Sequence, residues 1–313
     1  MSWPLLALVG PSASGKSALA LGLAERVPLE IVSCDSLQVY RGLDIGSAKA
    51  SADEQARVRH HLLDVVEPHE DFSAARWVAL AREALTEIAG RGRLPVIVGG
   101  TGLYLKALLQ GLFEGPSRNA RLRSRLERFA FRRGPRQLHE LLARIDPQAA
   151  ARLHPNDLVR VVRALEVYRL TRRRLSDHLA RPARGLEGFE VRVIGLAPGR
   201  PELRRRVGAR TAAMFERGLL AETAGVLSRY GGQAPRPLRA IGYRQALDCL
   251  AGRLDEAAAR ERVNVETMQY AKRQMTWFRH QAQVEWHPDG EPAARAALGW
   301  LARAGFQLRP SSS

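Results

Sequence analysis

Residues 10–17 read Gly-Pro-Ser-Ala-Ser-Gly-Lys-Ser, the G-x-x-x-x-G-K-[ST] spacing of a phosphate-cradling loop, and no other feature restricts the fold of this chain as tightly. An apolar run at 5–9 leads into the loop, and a helix-like stretch at 17–26 leads out of it. Strand, glycine-bounded loop and helix, in that order, form the opening unit of a parallel sheet. The glycines let the backbone close into a ring of N–H groups, and the helix N-terminus adds positive potential. Lys16 supplies a point charge, and the Ser17 hydroxyl suits a Mg2+ ion. Gly10, Pro11, Ser12, Ala13, Ser14, Gly15, Lys16 and Ser17 are therefore expected to hold a di- or triphosphate, with Ser17 as the metal ligand.

The alternation of strand and helix continues through the first hundred residues. Residues 29–33 read as a second strand, 74–90 as an amphipathic helix closed by glycine, and 94–98 as another short strand. Gly99-Gly100-Thr101-Gly102 and a helix to residue 109 follow. The expected fold is α/β: a P-loop NTPase-like parallel sheet flanked by helices, with ligands at the carboxyl ends of its strands. Between 117 and 184 the strand pattern disappears, and 18 arginines stand against six acidic residues. Residues 191–196 then return to a strand pattern, so 117–184 is expected to be an all-helical domain inserted into a core made of 1–116 and 185–313. Helical patterns dominate the remainder, at 202–215, 219–230, 242–250 and 255–284.

A chain of 313 residues, 45% of them hydrophobic, has ample material for a packed core. Its net charge of +17 is the unusual quantity, and it points to a polyanionic partner such as nucleic acid or, less commonly, an acidic membrane surface. Only Lys16, Lys49, Lys106 and Lys272 among the 49 basic residues are lysines. Coding bias accounts for arginine replacing lysine, but not for an unbalanced sum. Two cysteines, Cys34 and Cys249, cannot build a disulfide framework or a four-thiolate zinc site. The first residues run straight into a strand pattern, and no apolar stretch approaches the roughly 18 residues that span a bilayer. A cytoplasmic protein without a membrane segment is expected.

Asp35 ends the second strand pattern and so belongs at the ligand-facing edge of the sheet, where it could hold Mg2+ through water, act as a general base, or simply cap a turn. Thr101 stands at a helix start beyond another strand, as a substrate contact or an ordinary cap. His60-His61 lacks a partner at metal-ligand spacing, which favours a packing or surface role. Cys34 reads as a small buried filler.

The run 10–17, followed by 33–49, resembles the opening of the tRNA dimethylallyltransferase family, the bacterial tRNA isopentenyltransferases. Further matching runs follow in the same order at 60–64, 98–104, 154–157, 163–168, 241–245 and 271–277. The resemblance covers most of the chain, from about residue 5 to 277, and the run 35–49 is its most specific part. Departures are modest. Ser12 and Ser17 stand where the family mostly has Thr, Leu158-Val159 replaces a usual Pro-Gln, and Met268 stands where Arg is common.

The resemblance implies transfer of a dimethylallyl group from dimethylallyl diphosphate to the exocyclic amine of the adenine on the 3′ side of the anticodon, with Mg2+ as cofactor. Lys16, the loop amides and Arg210 would bind the diphosphate, Asp35 would take the amine proton, and Thr101 would join it as the second catalytic residue. Asp35, Ser36, Leu37, Gln38, Thr101, Gly242, Arg244 and Gln245 would contact tRNA, and Arg123, Arg160 and Arg163 of the insertion would grip the anticodon stem-loop. The target base would have to leave its stack to enter a crevice. A monomer is expected. Two rivals share the phosphate loop: a small-molecule or nucleoside monophosphate kinase, and a non-catalytic RNA-binding P-loop protein. A kinase has no use for +12 on one insertion, and a binding protein none for Asp35 opposite a diphosphate.

Overall fold

The computed structural model describes residues 2–113, 115–180 and 184–309. Its elements begin with β1 (Trp3–Val9), α1 (Lys16–Arg26), β2 (Leu29–Cys34), α2 (Ala52–Arg57), β3 (His60–His61), α3 (Ala74–Gly90), β4 (Leu94–Gly99) and α4 (Gly102–Gln110). Five helices follow among the described residues: α5 (Ala120–Arg133), α6 (Pro135–Ile145), α7 (Pro147–Arg152), α8 (Leu158–Thr171) and α9 (Leu175–Leu179). The chain then adds β5 (Phe189–Leu196), α10 (Arg200–Glu216), α11 (Leu219–Arg229), α12 (Tyr243–Leu250), α13 (Glu256–Gln281), β6 (Glu285–His287) and α14 (Gly290–Arg303).

The described strands form one parallel sheet in the order β3-β2-β4-β1-β5-β6, so the α/β expectation holds. Its centre is buried on both faces because the strands are apolar at successive positions, as parallel sheets require. Leu5, Ala7 and Val9 of β1 face a layer that includes Trp77 and Leu85 of α3, Leu105 of α4 and Phe278 of α13. Leu6 and Leu8 face the other layer, with Leu19 and Leu23 of α1 and Ala297 and Leu301 of α14. The period of two in β1 thus divides its side chains between two cores.

The chain resolves into two compact units, residues 1–109 with 186–313, and 110–185. The second contains no strand among its described residues, and its core is built from Leu126 and Ala130 of α5, Leu138 and Leu142 of α6, and Val161, Val162 and Leu165 of α8. No helix among the described residues is long and apolar enough to cross a membrane.

Two edge strands lack a sequence signature. β3 is the His60-His61 pair, where His61 Nε2 lies 2.6 Å from Glu30 Oε2 and His60 Nδ1 lies 2.7 Å from the Val58 carbonyl. These contacts give the pair a packing role. The helix pattern at 255–284 stops at Gln281, because Glu285–His287 must extend to pair with β5.

Candidate functional site

The first unit gathers its polar groups where β1, β2 and β4 end. Between β1 and α1 the backbone takes positive φ at Gly10 (142°), Ala13 (63°) and Gly15 (98°), which curls the chain into a cradle. Gly10 is also required sterically, since a Cβ there would lie 2.5 Å from the Leu196 carbonyl oxygen. Lys16 Nζ folds over this loop, donating to the Pro11 carbonyl at 2.6 Å and to Ser14 Oγ at 3.3 Å. Its pKa is lowered to about 7, first by burial and then by repulsion from Arg210, with Asp35 opposing. Burial likewise lowers Arg210, and Asp35 again opposes.

Asp35 follows β2 and performs the turn role open to it. Its Oδ1 accepts from the amides of Leu37 at 2.8 Å and Gln38 at 3.4 Å. No described hydrogen bond reaches Oδ2, so the carboxylate keeps an acceptor for a ligand. Ser12, Lys16, Ser17, Asp35, Gln38 and Arg210 line a cavity of about 340 Å3. Arg217, Gln274, His60 and the backbone of Gly99-Gly100 also belong to this wall. A second cavity of about 370 Å3 shares Ser12, Asp35 and Arg210 with it. That cavity also takes in Ser36 and Leu37, the apolar Val207, Met214, Ile241 and Val263, and the polar Arg239, Tyr270 and Arg273. Asp35 and Arg210 therefore stand where a polar space beside the glycine loop meets one of mixed polar and apolar lining.

Other residues singled out from the sequence are engaged in contacts within the protein. Thr101 follows Gly100 directly, its amide donating to the Cys34 carbonyl at 3.2 Å, but it is not among the residues lining either cavity. Gln38 is held by its own unit: Ser33 Oγ donates to its Oε1 at 2.8 Å, and its Nε2 donates to the Ala48 carbonyl at 3.1 Å. Gln245 is 2% exposed and accepts from the Gly242 amide at 2.9 Å, closing the N-terminus of α12. Arg244 pairs with Glu266. Sequence reasoning does not single out Arg217, Arg239, Tyr270, Arg273 or Gln274. The last three fall inside the matching run 271–277 or directly before it, which is the one signal that points to them.

In the second unit, Glu166 is fully buried and gathers the cations around it. Arg163 Nη1 donates to its Oε2 at 2.7 Å, the Asn119 amide to its Oε1 at 2.8 Å, and Arg123 Nε to Oε1 at 3.1 Å. Burial pushes this carboxyl up, but those donors prevail and hold it below its ordinary value. Arg163 Nη2 also donates to the Pro116 carbonyl at 2.9 Å. Arg123 and Arg163 thus serve the fold of the unit, whereas Arg160 is exposed. Along α5 the exposed arginines Arg121, Arg125, Arg128 and Arg132 fall on one helical face, with exposed Phe129 and Phe131 on either side.

No cluster of three His, Cys, Asp or Glu among the described residues could hold a metal by itself. An exposed Ser17 hydroxyl and the Asp35 carboxylate share the first cavity, a donor set suited to a Mg2+ ion that takes its other ligands from water and phosphate oxygens.

Comparison with known proteins narrows the chemistry. The IPP transferase family model matches residues 38–281. A tRNA dimethylallyltransferase of Koribacter versatilis (strain Ellin345) is 48% identical over 287 residues, covering 91% of this chain and 93% of that protein. One from Anaeromyxobacter sp. (strain Fw109-5) is 50% identical over 282 residues, covering 90% and 93%. Among solved structures, the full-length tRNA isopentenylpyrophosphate transferase of Bacillus halodurans is similar with a TM-score of 0.69 at 39% identity, covering 96% of each chain. A eukaryotic dimethylallyltransferase captured acting on tRNA gives a TM-score of 0.81 at 25% identity, covering 99% of this chain and 82% of that one.

Proposed function

The chain belongs to the IPP transferase family, and from that premise we propose that it is a tRNA dimethylallyltransferase, acting on the exocyclic amine of the adenine 3′ to the anticodon. The observation that carries this reading is the junction of the two cavities at Asp35 and Arg210. A diphosphate fits the first, against Lys16, Arg210 and the amides of the loop. Val207, Met214, Ile241 and Val263 give the second an apolar lining for a five-carbon allylic chain.

The adenine amine is a weak nucleophile, so the allylic C–O bond must be strongly polarised before attack. As it breaks, its electron pair passes to the diphosphate, where Lys16 and Arg210 stabilise the growing charge. The amine nitrogen forms the new bond to carbon, and its surplus proton goes to the free oxygen of Asp35. Ser17 would hold Mg2+, which would supply further charge neutralisation on the leaving group.

The exposed basic face of α5 and Arg160 support an anticodon stem-loop as the tRNA element bound by the second unit, because phosphates are met by exposed cations. Arg123 and Arg163 are retained as RNA contacts only through their remaining donors. The deciding experiment is mass spectrometry of nucleosides from tRNA incubated with the protein, dimethylallyl diphosphate and Mg2+. A five-carbon mass gain on adenosine is the expected result, and transfer of phosphate from ATP to a small acceptor would replace this reading with the kinase.

A further inference from the structure

Gln274 of α13 is 7% exposed and joins two loops that are far apart in the chain. Its Oε1 accepts from the Ser12 amide at 2.9 Å and lies 3.5 Å from Ser12 Oγ, while its Nε2 donates to the Gly100 carbonyl at 3.0 Å. One end thus holds the phosphate loop after β1, and the other holds the loop after β4 that carries Thr101. Both partners are backbone groups of fixed polarity, which also fixes the orientation of the amide.

The surrounding glycines are shaped to this contact. A Cβ on Gly100 would lie 2.2 Å from Gln274 Nε2, and a Cβ on Gly102 would lie 2.2 Å from the Trp277 ring. Gln274 and Trp277 are three residues apart and share one face of α13. That face therefore presses on both glycines flanking Thr101. Only a side chain with an acceptor and a donor on one rigid plane meets both loops: Glu lacks the donor, Lys lacks the acceptor, and Leu lacks both.

We infer that Gln274 is a positioning residue for prenyl transfer, setting the spacing between the diphosphate cradle and the strand end that carries Thr101. The inference rests on the function proposed above. Gln274 acts through the Ser12 amide and the Gly100 carbonyl, without touching the reacting atoms. It also occupies the Ser12 N–H, so the ring of amides offered to the diphosphate begins at Ala13. Misplacement of reacting groups by about 1 Å can slow chemistry by about 100-fold.

The test is a comparison of Gln274→Leu, which keeps the volume and loses both hydrogen bonds, with Gly100→Ala, which leaves Gln274 intact but drives it off the carbonyl. Single-turnover rates are measured with saturating tRNA and dimethylallyl diphosphate, alongside dissociation constants for each and amide exchange at Ser12. Each variant is expected to lower the single-turnover rate by about 10- to 100-fold, with both dissociation constants within about threefold of wild type. Ser12 exchange should accelerate in Gln274→Leu. A rate within threefold of wild type in either folded variant overturns the inference, and so does a loss confined to diphosphate affinity, which would make Gln274 a binding residue. If Gln274→Leu does not fold, Gly100→Ala decides alone. A wild-type chain that forms no prenylated adenosine defeats the functional reading instead, a result the nucleoside assay separates from these.

Discussion

Asp35 has two oxygens with different duties, and that division makes its role testable without disturbing the fold. Oδ1 holds the turn at Leu37 and Gln38, so Asp35→Asn keeps the turn while removing the proposed base. The expected outcome is a single-turnover rate lower by about 10² to 10⁴, with tRNA affinity nearly unchanged; a rate within threefold of wild type would remove the base assignment. Lys16 offers a second handle, because its pKa of about 7 leaves it largely neutral at pH 8 in the free protein. An arriving diphosphate favours the charged form and raises that pKa again. Binding at pH 8 should therefore take up close to one proton through Lys16, and binding at pH 6, where the ammonium is already formed, should take up almost none there. Affinity should accordingly weaken as pH rises above 7. Calorimetry in buffers of different ionisation enthalpy reads the uptake, and Lys16→Met should abolish its pH dependence. The phosphate loop is legible in sequence because its spacing is local. Gln274 is not, because its partners lie 262 and 174 positions away.

Elements that carry their own signal can be read closely from sequence, and those that borrow stability from neighbours cannot. The amphipathic pattern and terminal glycine of α3 bound it at both ends. β3 and β6 have two and three residues, too few for an alternation, and their extended form comes from pairing to β2 and β5. α14 escapes the sequence reading as well, although Asp289 caps it by accepting from the Glu291 amide at 3.1 Å. At this scale the buried Glu166 is the informative group, since it ties α8 to α5 and to Asn119 at the start of α5. Glu166→Gln leaves Arg123 and Arg163 without their counter-charge and should destabilise the second unit by about 1 to 3 kcal/mol. Because its folded pKa is lowered, Glu166 contributes stability above its ordinary value of 4.5 and loses it as pH falls through the folded pKa. Protection factors in α5 and α8, taken relative to the intrinsic exchange rate at each pH, should therefore fall on acidification in wild type, and much less so in the variant. Equal acid sensitivity would mean that other carboxylates hold the unit together.

Across the whole molecule, charge is distributed by purpose. The segment 117–184 carries +12 of the net +17, and part of that is internal, satisfied by Glu166. The exposed remainder is the part proposed to meet tRNA phosphates. Converting Arg121, Arg125 and Arg128 to Ala should reduce the slope of log K against log salt by roughly 0.7 to 0.9 for each phosphate left unneutralised, while the affinity for dimethylallyl diphosphate stays constant. Arg123→Ala should instead act mainly on stability. A salt titration with an anticodon stem-loop checks both, and unchanged slopes in the triple variant would mark the stripe as a solvated face. The strand order has a consequence for how such a chain is made. β1 lies between β4 and β5, yet about ninety residues separate the end of β4 from the start of β5. At a synthesis rate of about 5 to 20 residues per second, the central strand waits on the ribosome for roughly 5 to 20 s with one apolar edge open, while the helical insertion is being made. During that interval the emerging half-sheet is a natural client for a chaperone.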